Sequence, residues 1–225
     1  MGSLIKVSIK NKIQQGLCFA LLCSLSSPLF AFDGPFRAFE AKFVKLKTFS
    51  ADFQQIYFDP LNEKEQLAQG EMAFARPSKM RLIYLEPHPL EIIIGETRIW
   101  IVDPLLENVV IQDVRRMQGL KSLNFLFKNK SIESGYTQVV PKKKLLKTEK
   151  GERLYHLTPK EADPYISEVH LKLKKGQLVS FALVAKNGGY RILKLYKNQN
   201  NPKLAPDYFS YKVPKDFETI DNLGQ

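Results

Sequence analysis

From Asp33 onward the apolar residues first fall at helical spacing. Phe36, Phe39, Phe43 and Leu46 recur at steps of three and four, which places them on one face of an α-helix. Asp33 is a capping residue and Pro35 suits a first turn. The pattern predicts an amphipathic helix with a phenylalanine face, ending near Lys47 and Thr48. The period then drops to two. Residues 49–58 alternate, 59–62 (Asp-Pro-Leu-Asn) read as a turn, and 66–76 read as the return strand. Strands follow at 80–85, at 91–94 and 97–102 as a hairpin around Gly95 and Glu96, and at 108–113. Residues 117–127 return to helical spacing through Leu120, Leu123, Leu126 and Phe127. Further strands are predicted at 136–141, 153–158, 167–174, 177–185 and 190–196, the last three joined by Lys175-Gly176 and Asn187-Gly188-Gly189. In 167–174, Val169, Leu171 and Leu173 face one way; Glu168, His170, Lys172 and Lys174 face the other and are expected in solvent.

Short turns between successive strands imply antiparallel pairing. The fold class predicted is mainly β with helices (α+β): one curled antiparallel sheet of about ten strands, with two phenylalanine-rich helices on its concave side. Two helices fill such a sheet sparsely, so a cavity or groove is expected. There is no internal repeat or linker, and residues 32–225 are read as a single domain. One local feature stands out. In Phe-Ala-Arg-Pro-Ser-Lys-Met, residues 74–80, Arg76 closes an apolar strand immediately before Pro77, which cannot donate to a sheet ladder.

The segment before Asp33 follows other rules. Lys6, Lys10 and Lys12 precede an apolar run at 16–25, then Ser26-Ser27-Pro28 and Ala31. This is the layout of a secretory signal peptide over residues 1–31, with cleavage expected after Ala31. Both cysteines, Cys18 and Cys23, lie within it, so the mature chain is expected to have no disulfide and no thiol chemistry. Each is preceded by a leucine where a lipoprotein signal needs a small residue, so no lipid anchor is expected. A periplasmic destination follows.

Hydrophobic content of 44% and charged content of 25% are ordinary for a globular protein, and a mean hydropathy of −0.24 excludes a multispan membrane protein. The net charge is +11, and without the three lysines of residues 1–31 it is about +8. A basic chain favours anionic surfaces. In this compartment that means anionic lipid headgroups or an acidic protein; nucleic acid is not expected. The sequence has no phosphate-binding loop, dinucleotide fingerprint or nucleophile elbow. His88, His156 and His170 are not at metal-ligand spacing, and Glu161 and Asp163 have no mark of an acid/base pair. No enzyme activity, metal or cofactor is expected. Lys142, Lys143, Lys144 and Lys147 suit either an anionic partner or protection of an edge strand. Trp100 suits either a core or a pocket wall.

An ordered set of residues resembles a known family. Phe49-Ser-Ala-Asp-Phe-Gln-Gln55, Gly70, Arg76-Pro77, Met80-Arg81, Tyr84, Pro87, Ile99-Trp-Ile-Val-Asp-Pro104, Leu157-Thr-Pro159 and Tyr211-Lys-Val-Pro214 follow one another as in the periplasmic lipoprotein carriers of the LolA family. The resemblance implies an unclosed antiparallel β-barrel with a helical lid over a hydrophobic cavity that takes acyl chains. It implies that Arg76, set by Pro77, latches the lid. Candidate cavity residues are Phe53, Met72, Phe74, Met80, Leu82, Tyr84, Trp100 and Val102, with Leu120, Leu123 and Phe127 from the lid. It implies a monomer that receives acylated lipoproteins from an inner-membrane lipoprotein-releasing ABC transporter and passes them to an outer-membrane acceptor, LolB-like or another. The alternative is a carrier or sensor of another lipid, or of envelope stress, on the same fold. The chain departs from the family in its basic charge and in Glu96-Thr97-Arg98, where an Asp-Gly turn is common.

Overall fold

The structure, a computed structural model, describes residues 31–116, 126 and 131–223. Helix α1 spans Gly34–Phe43. Asp33 caps it, its Oδ1 accepting the Phe36 N–H at 2.9 Å, and proline stands in the first turn as expected. The helix stops four residues short of Lys47. The Lys47 carbonyl accepts the Arg76 N–H at 2.9 Å, and Thr48 already pairs with Ala75, so the sheet claims the backbone that a longer helix would need.

Strands β1 (Thr48–Asp59), β2 (Lys64–Ala75), β3 (Lys79–Glu86), β4 (Leu90–Ile94), β5 (Arg98–Asp103) and β6 (Asn108–Asp113) come next. After a 3₁₀ turn, Val114–Arg116, the described chain resumes with α2 (Ile132–Gly135). It continues through β7 (Tyr136–Gln138), β8 (Glu152–Pro159), β9 (Ile166–Lys174), β10 (Gln177–Ala185), β11 (Tyr190–Asn200) and β12 (Glu218–Asp221). Among the described residues these twelve strands form one sheet in the order β12-β6-β5-β4-β3-β2-β1-β11-β10-β9-β8-β7, with β12 and β7 as open edges. The predicted helix at 117–127 lies outside the described residues except for Leu126, which is helical and buried in the main core.

Two elements depart from the expected antiparallel meander. β12 pairs parallel to β6, a strand of four exposed residues with no alternation to reveal it. α2 is a single turn that the sequence pattern does not predict; its Ser131 caps it by accepting the Ser134 N–H. Gly70 sits where β2 and β3 meet at a register shift. A Cβ there would lie 1.9 Å from the Ile83 carbonyl oxygen, so only glycine allows the two strands to close.

The sheet curls around α1. The Phe36 ring packs 4.8 Å from Tyr155 of β8, and the Phe43 ring 6.2 Å from Phe74 of β2. Seven residues of helix span about 10 Å. The five strand steps from β2 to β8 would span roughly 24 Å if flat. The largest core cluster fills the concave side, with rings of α1 against Phe49, Phe53, Phe74, Leu171, Phe181 and Leu193 among others.

The outer face carries two separate covers. The C-terminal segment lays Tyr211, Val213, Phe217 and Leu223 over Ile93, Val102, Val109 and Ile111. The segment before β8 lays Leu145 and Leu146 over Ala182, Tyr190 and Ile192, and Lys143 Nζ stands 4.5 Å from the Tyr190 ring. This second cover corrects the expectation for β9. His170 and Glu168 are not in solvent but buried beneath it, with His170 Nε2 2.9 Å from Glu168 Oε2. The other Glu168 oxygen accepts the Lys142 N–H at 3.3 Å, and His156 packs edge-on against His170 at 4.4 Å. A polar strand face is solvated only where nothing lies over it, and that is not written in the strand itself.

Candidate functional site

The concave face is built by alternation. Odd-numbered positions of β1, even-numbered positions of β2 and β3, and odd-numbered positions of β9 point inward, so Phe49, Phe53, Met72, Phe74, Met80 and Leu171 converge. Of the residues singled out in the sequence, Phe53, Met72, Phe74 and Met80 are brought together there, each at most 2% exposed. Leu82 and Tyr84 line the same face further from α1 and are only partly buried. Among the described residues of β1, β2 and β3 the buried inward side chains are apolar apart from Gln55, whose Oε1 accepts the Tyr84 hydroxyl at 3.1 Å; burial pushes the Tyr84 phenol up.

Trp100 and Val102 do not belong to this set, and the grouping is corrected by the fold. β5 is apolar on both faces. Ile99 and Ile101 point to the concave core, while Trp100 and Val102 point outward beneath the C-terminal cover. Leu120, Leu123 and Phe127 lie outside the described residues.

α1 lies across the end of the concave face where β1 begins. Its joints to the rest are side-chain ones. At its start the Tyr155 hydroxyl donates to Asp33 Oδ1 at 2.8 Å, and Arg153 Nη1 donates to Asp33 Oδ2 at 3.1 Å. Burial, and after it the Asp33 carboxylate, push the Tyr155 phenol well up. Midway, Glu40 Oε1 accepts the Ser131 hydroxyl at 2.9 Å and the Glu133 N–H at 3.0 Å. At its end, Arg76 Nη2 donates to the Phe43 carbonyl at 3.1 Å. The Arg76 guanidinium also lies 5.1 Å from the Phe43 ring and 5.4 Å from the Phe74 ring, a cation–π sandwich between helix and strand. Burial lowers its pKa to about 10, so it stays cationic at neutral pH. Pro77 occupies the three-residue turn between β2 and β3, which holds Arg76 at the strand end.

Beside the last turn of α1 opens a cleft of about 230 Å³. Phe39, Phe43, Leu46, Phe49 and Leu178 form its apolar lining, and Lys42 and Lys175 stand on it. Ligand pockets run from roughly 300 Å³ upward, so this cleft is smaller than a ligand chamber. The α1 rings Phe36, Phe39 and Phe43 fill the concave face beside it. Sequence reasoning placed those rings as filling. It missed Asp33 with Tyr155 and Glu40 with Ser131, because pairs 122 and 91 residues apart leave no local trace. Leu171, Phe181, Leu193 and Leu195 on the same face were detectable by their period of two.

The family model described as "Outer membrane lipoprotein carrier protein LolA" matches residues 44–212. An outer-membrane lipoprotein carrier protein of Dechloromonas aromatica is 26% identical over 217 residues, covering 96% of this chain and 99% of that one. A protein of the same description from Haemophilus ducreyi is 23% identical over 214 residues, covering 95% and 97%. Among solved structures, a LolA-superfamily protein from Nitrosomonas europaea is 12% identical, with a TM-score of 0.41 over 78% of this chain and 97% of its own.

Proposed function

The chain belongs to the LolA family of outer-membrane lipoprotein carrier proteins, and from that premise we propose that it is a periplasmic carrier which shields lipoprotein acyl chains on its concave face. In this reading residues 1–31 are removed on export. The mature protein receives acylated lipoproteins from an ATP-driven inner-membrane transporter and passes them to an outer-membrane acceptor. α1 acts as the lid, and the Arg76 bond to the Phe43 carbonyl is its latch.

The observation that carries the proposal is an apolar sheet face covered by a helix that, among the described residues, is joined to the rest through side chains and adds no strand to the sheet. Burying one methylene is worth roughly 0.8 kcal/mol, so a chain of about fifteen resists water by roughly 12 kcal/mol. Crossing an aqueous compartment therefore needs a dry surface, and the concave cluster supplies one once α1 withdraws. The phenylalanine rings of α1 then compete with the cargo for the same face. That competition keeps cargo affinity moderate and lets unloading run downhill to an acceptor that binds more tightly. The described residues hold no helix long and apolar enough to cross a membrane.

The test mixes the purified protein with spheroplasts making a labelled triacylated lipoprotein. Native protein is expected to bring the label into the supernatant as a one-to-one complex. Arg76→Leu is expected to accept cargo but fail to release it to acceptor-bearing membranes, because a lid without its latch competes poorly. Absence of label in the supernatant, with a transporter shown competent by its own carrier, would contradict the proposal.

A further inference from the structure

Charge is divided between the two ends of the sheet. The end bearing α1 and its cleft carries Lys42, Lys45, Lys47, Lys175 and Lys203. All five are exposed, and none has a carboxylate partner within 4.0 Å among the described residues. They come from separate pieces of chain brought together by the fold: the end of α1, the link to β1, the β9–β10 turn and the segment after β11, where the Thr48 hydroxyl donates to the Pro202 carbonyl at 2.8 Å. The far end, at the β1–β2, β3–β4 and β5–β6 turns, exposes Glu63, Glu86 and Glu107, with Lys64, Lys186 and Lys215 more dispersed there. The exposed leucines, Leu61, Leu67, Leu85, Leu105 and Leu106, also lie at or toward that far end.

We propose that the α1 end is a docking surface for an anionic phospholipid bilayer, which the protein meets with the α1 cleft facing the lipid. Three features favour lipid over an acidic protein. The free cations around the α1 cleft are lysines, point charges suited to a diffuse layer of phosphates, rather than the forked guanidiniums that select carboxylates; the exposed Arg98 lies on β5, four strands away from β1. Protein interfaces are depleted in lysine and built around aromatic and apolar anchors, yet the exposed leucines sit at the opposite end. The orientation also matches the geometry. α1 points its rings into the core and its last-turn lysines outward, so the lysines are what a layer of anionic headgroups meets first, and the acidic far end is repelled by the same surface. Docking this way brings the α1 end of the concave face against the membrane. The meaning of that for cargo rests on the carrier reading; the attraction itself does not.

The experiment is co-sedimentation of the purified protein, without any lipoprotein, with vesicles of phosphatidylglycerol and phosphatidylcholine or of phosphatidylcholine alone. Native protein is expected to sediment only with the anionic vesicles, and less so as salt rises. Each lysine near an anionic surface is worth roughly a factor of five in partitioning. The triple variant Lys42→Glu, Lys45→Glu and Lys175→Glu is therefore expected to lose at least about tenfold in partitioning. The far-end triple Lys64→Glu, Lys186→Glu and Lys215→Glu has the same net charge and is expected to stay within about twofold. Equal losses from both triples would overturn the proposal, since net charge alone would then explain binding. Absence of native binding to anionic vesicles would overturn it too and leave an acidic protein as the partner. Melting curves check folding, and triple Lys→Gln variants replace any Glu triple that melts early. A negative result here leaves the carrier reading standing, and failure of cargo release leaves docking standing.

Discussion

The sheet is covered on both faces, and the two covers are attached differently. On the outer face the C-terminal segment closes with β12, whose ladder with β6 runs from Glu218 opposite Asn108 to Asp221 opposite Ile111. Its backbone is part of the sheet, so it leaves only if the sheet edge comes apart. On the concave face α1 adds no strand. It rests on aromatic rings and on a few side-chain bonds from Asp33, Glu40 and Arg76. Losing a ladder strands backbone donors and acceptors, each costly to leave unmade. Undocking a helix leaves its internal hydrogen bonds intact and gives up those few side-chain bonds together with its apolar contacts. One cover is therefore built into the sheet and the other is not, and the second lies on the larger apolar face.

The largest expected effect breaks the concave cover alone. Phe36 is fully buried between Phe32, Phe39 and Tyr155. Phe36→Ala should cost about 3–5 kcal/mol of α1 docking. Hydrogen exchange should show α1 amides losing protection while those of β12 and β6 keep theirs. Ile111→Ala, in the outer cluster, should lower the melting temperature without singling out α1. If both substitutions loosen the whole sheet equally, the contrast fails.

A smaller effect is expected at the start of the helix. Asp33→Ala removes the cap and the partner of the Tyr155 hydroxyl together, for about 1–2 kcal/mol. Thermal melts of the variant should shift down accordingly, and Tyr155→Phe added to it should change little further.

The smallest effect belongs to the other outer cover and depends on pH. Burial lowers the His156 pKa from 6.5 to about 4, helped by His170 and Lys144 and opposed by Glu168. The unfolded chain then takes up a proton between pH 6.5 and 4 that the folded one does not, so stability falls as pH drops through that window. Burial lowers His170 as well. His156→Gln should flatten the acid limb of a melting-temperature profile, and in native protein the amides of 139–147 should lose protection in acid before those of α1. An unchanged acid limb in the variant would remove His156 from the account.

Much of this architecture was legible in the pattern of residues. β6 and β10 have the ends their alternation predicts, and the inward face of β9 was readable from Val169, Leu171 and Leu173. Phe53, Met72, Phe74 and Met80 could be grouped for the same reason. What was not legible depended on what lies over a strand. Ile99, Trp100, Ile101 and Val102 are all apolar, so period two could not say which pair faces the concave side. His170 looked solvated because its cover comes from a different stretch of chain. β12 has neither alternation nor a turn signal, since it only completes an edge. Arg76 was conspicuous from its place before Pro77, but its partner, the Phe43 carbonyl 33 residues earlier, emerges only when the helix and the sheet meet.

The most direct test places a photo-cross-linking amino acid at Leu82 on the concave face and, separately, at Trp100 on the outer face, in carrier loaded with a lipoprotein bearing labelled acyl chains. The account predicts labelled adducts from position 82 and none from position 100. Labelling from position 100, or none from position 82 in a complex that demonstrably forms, would contradict it.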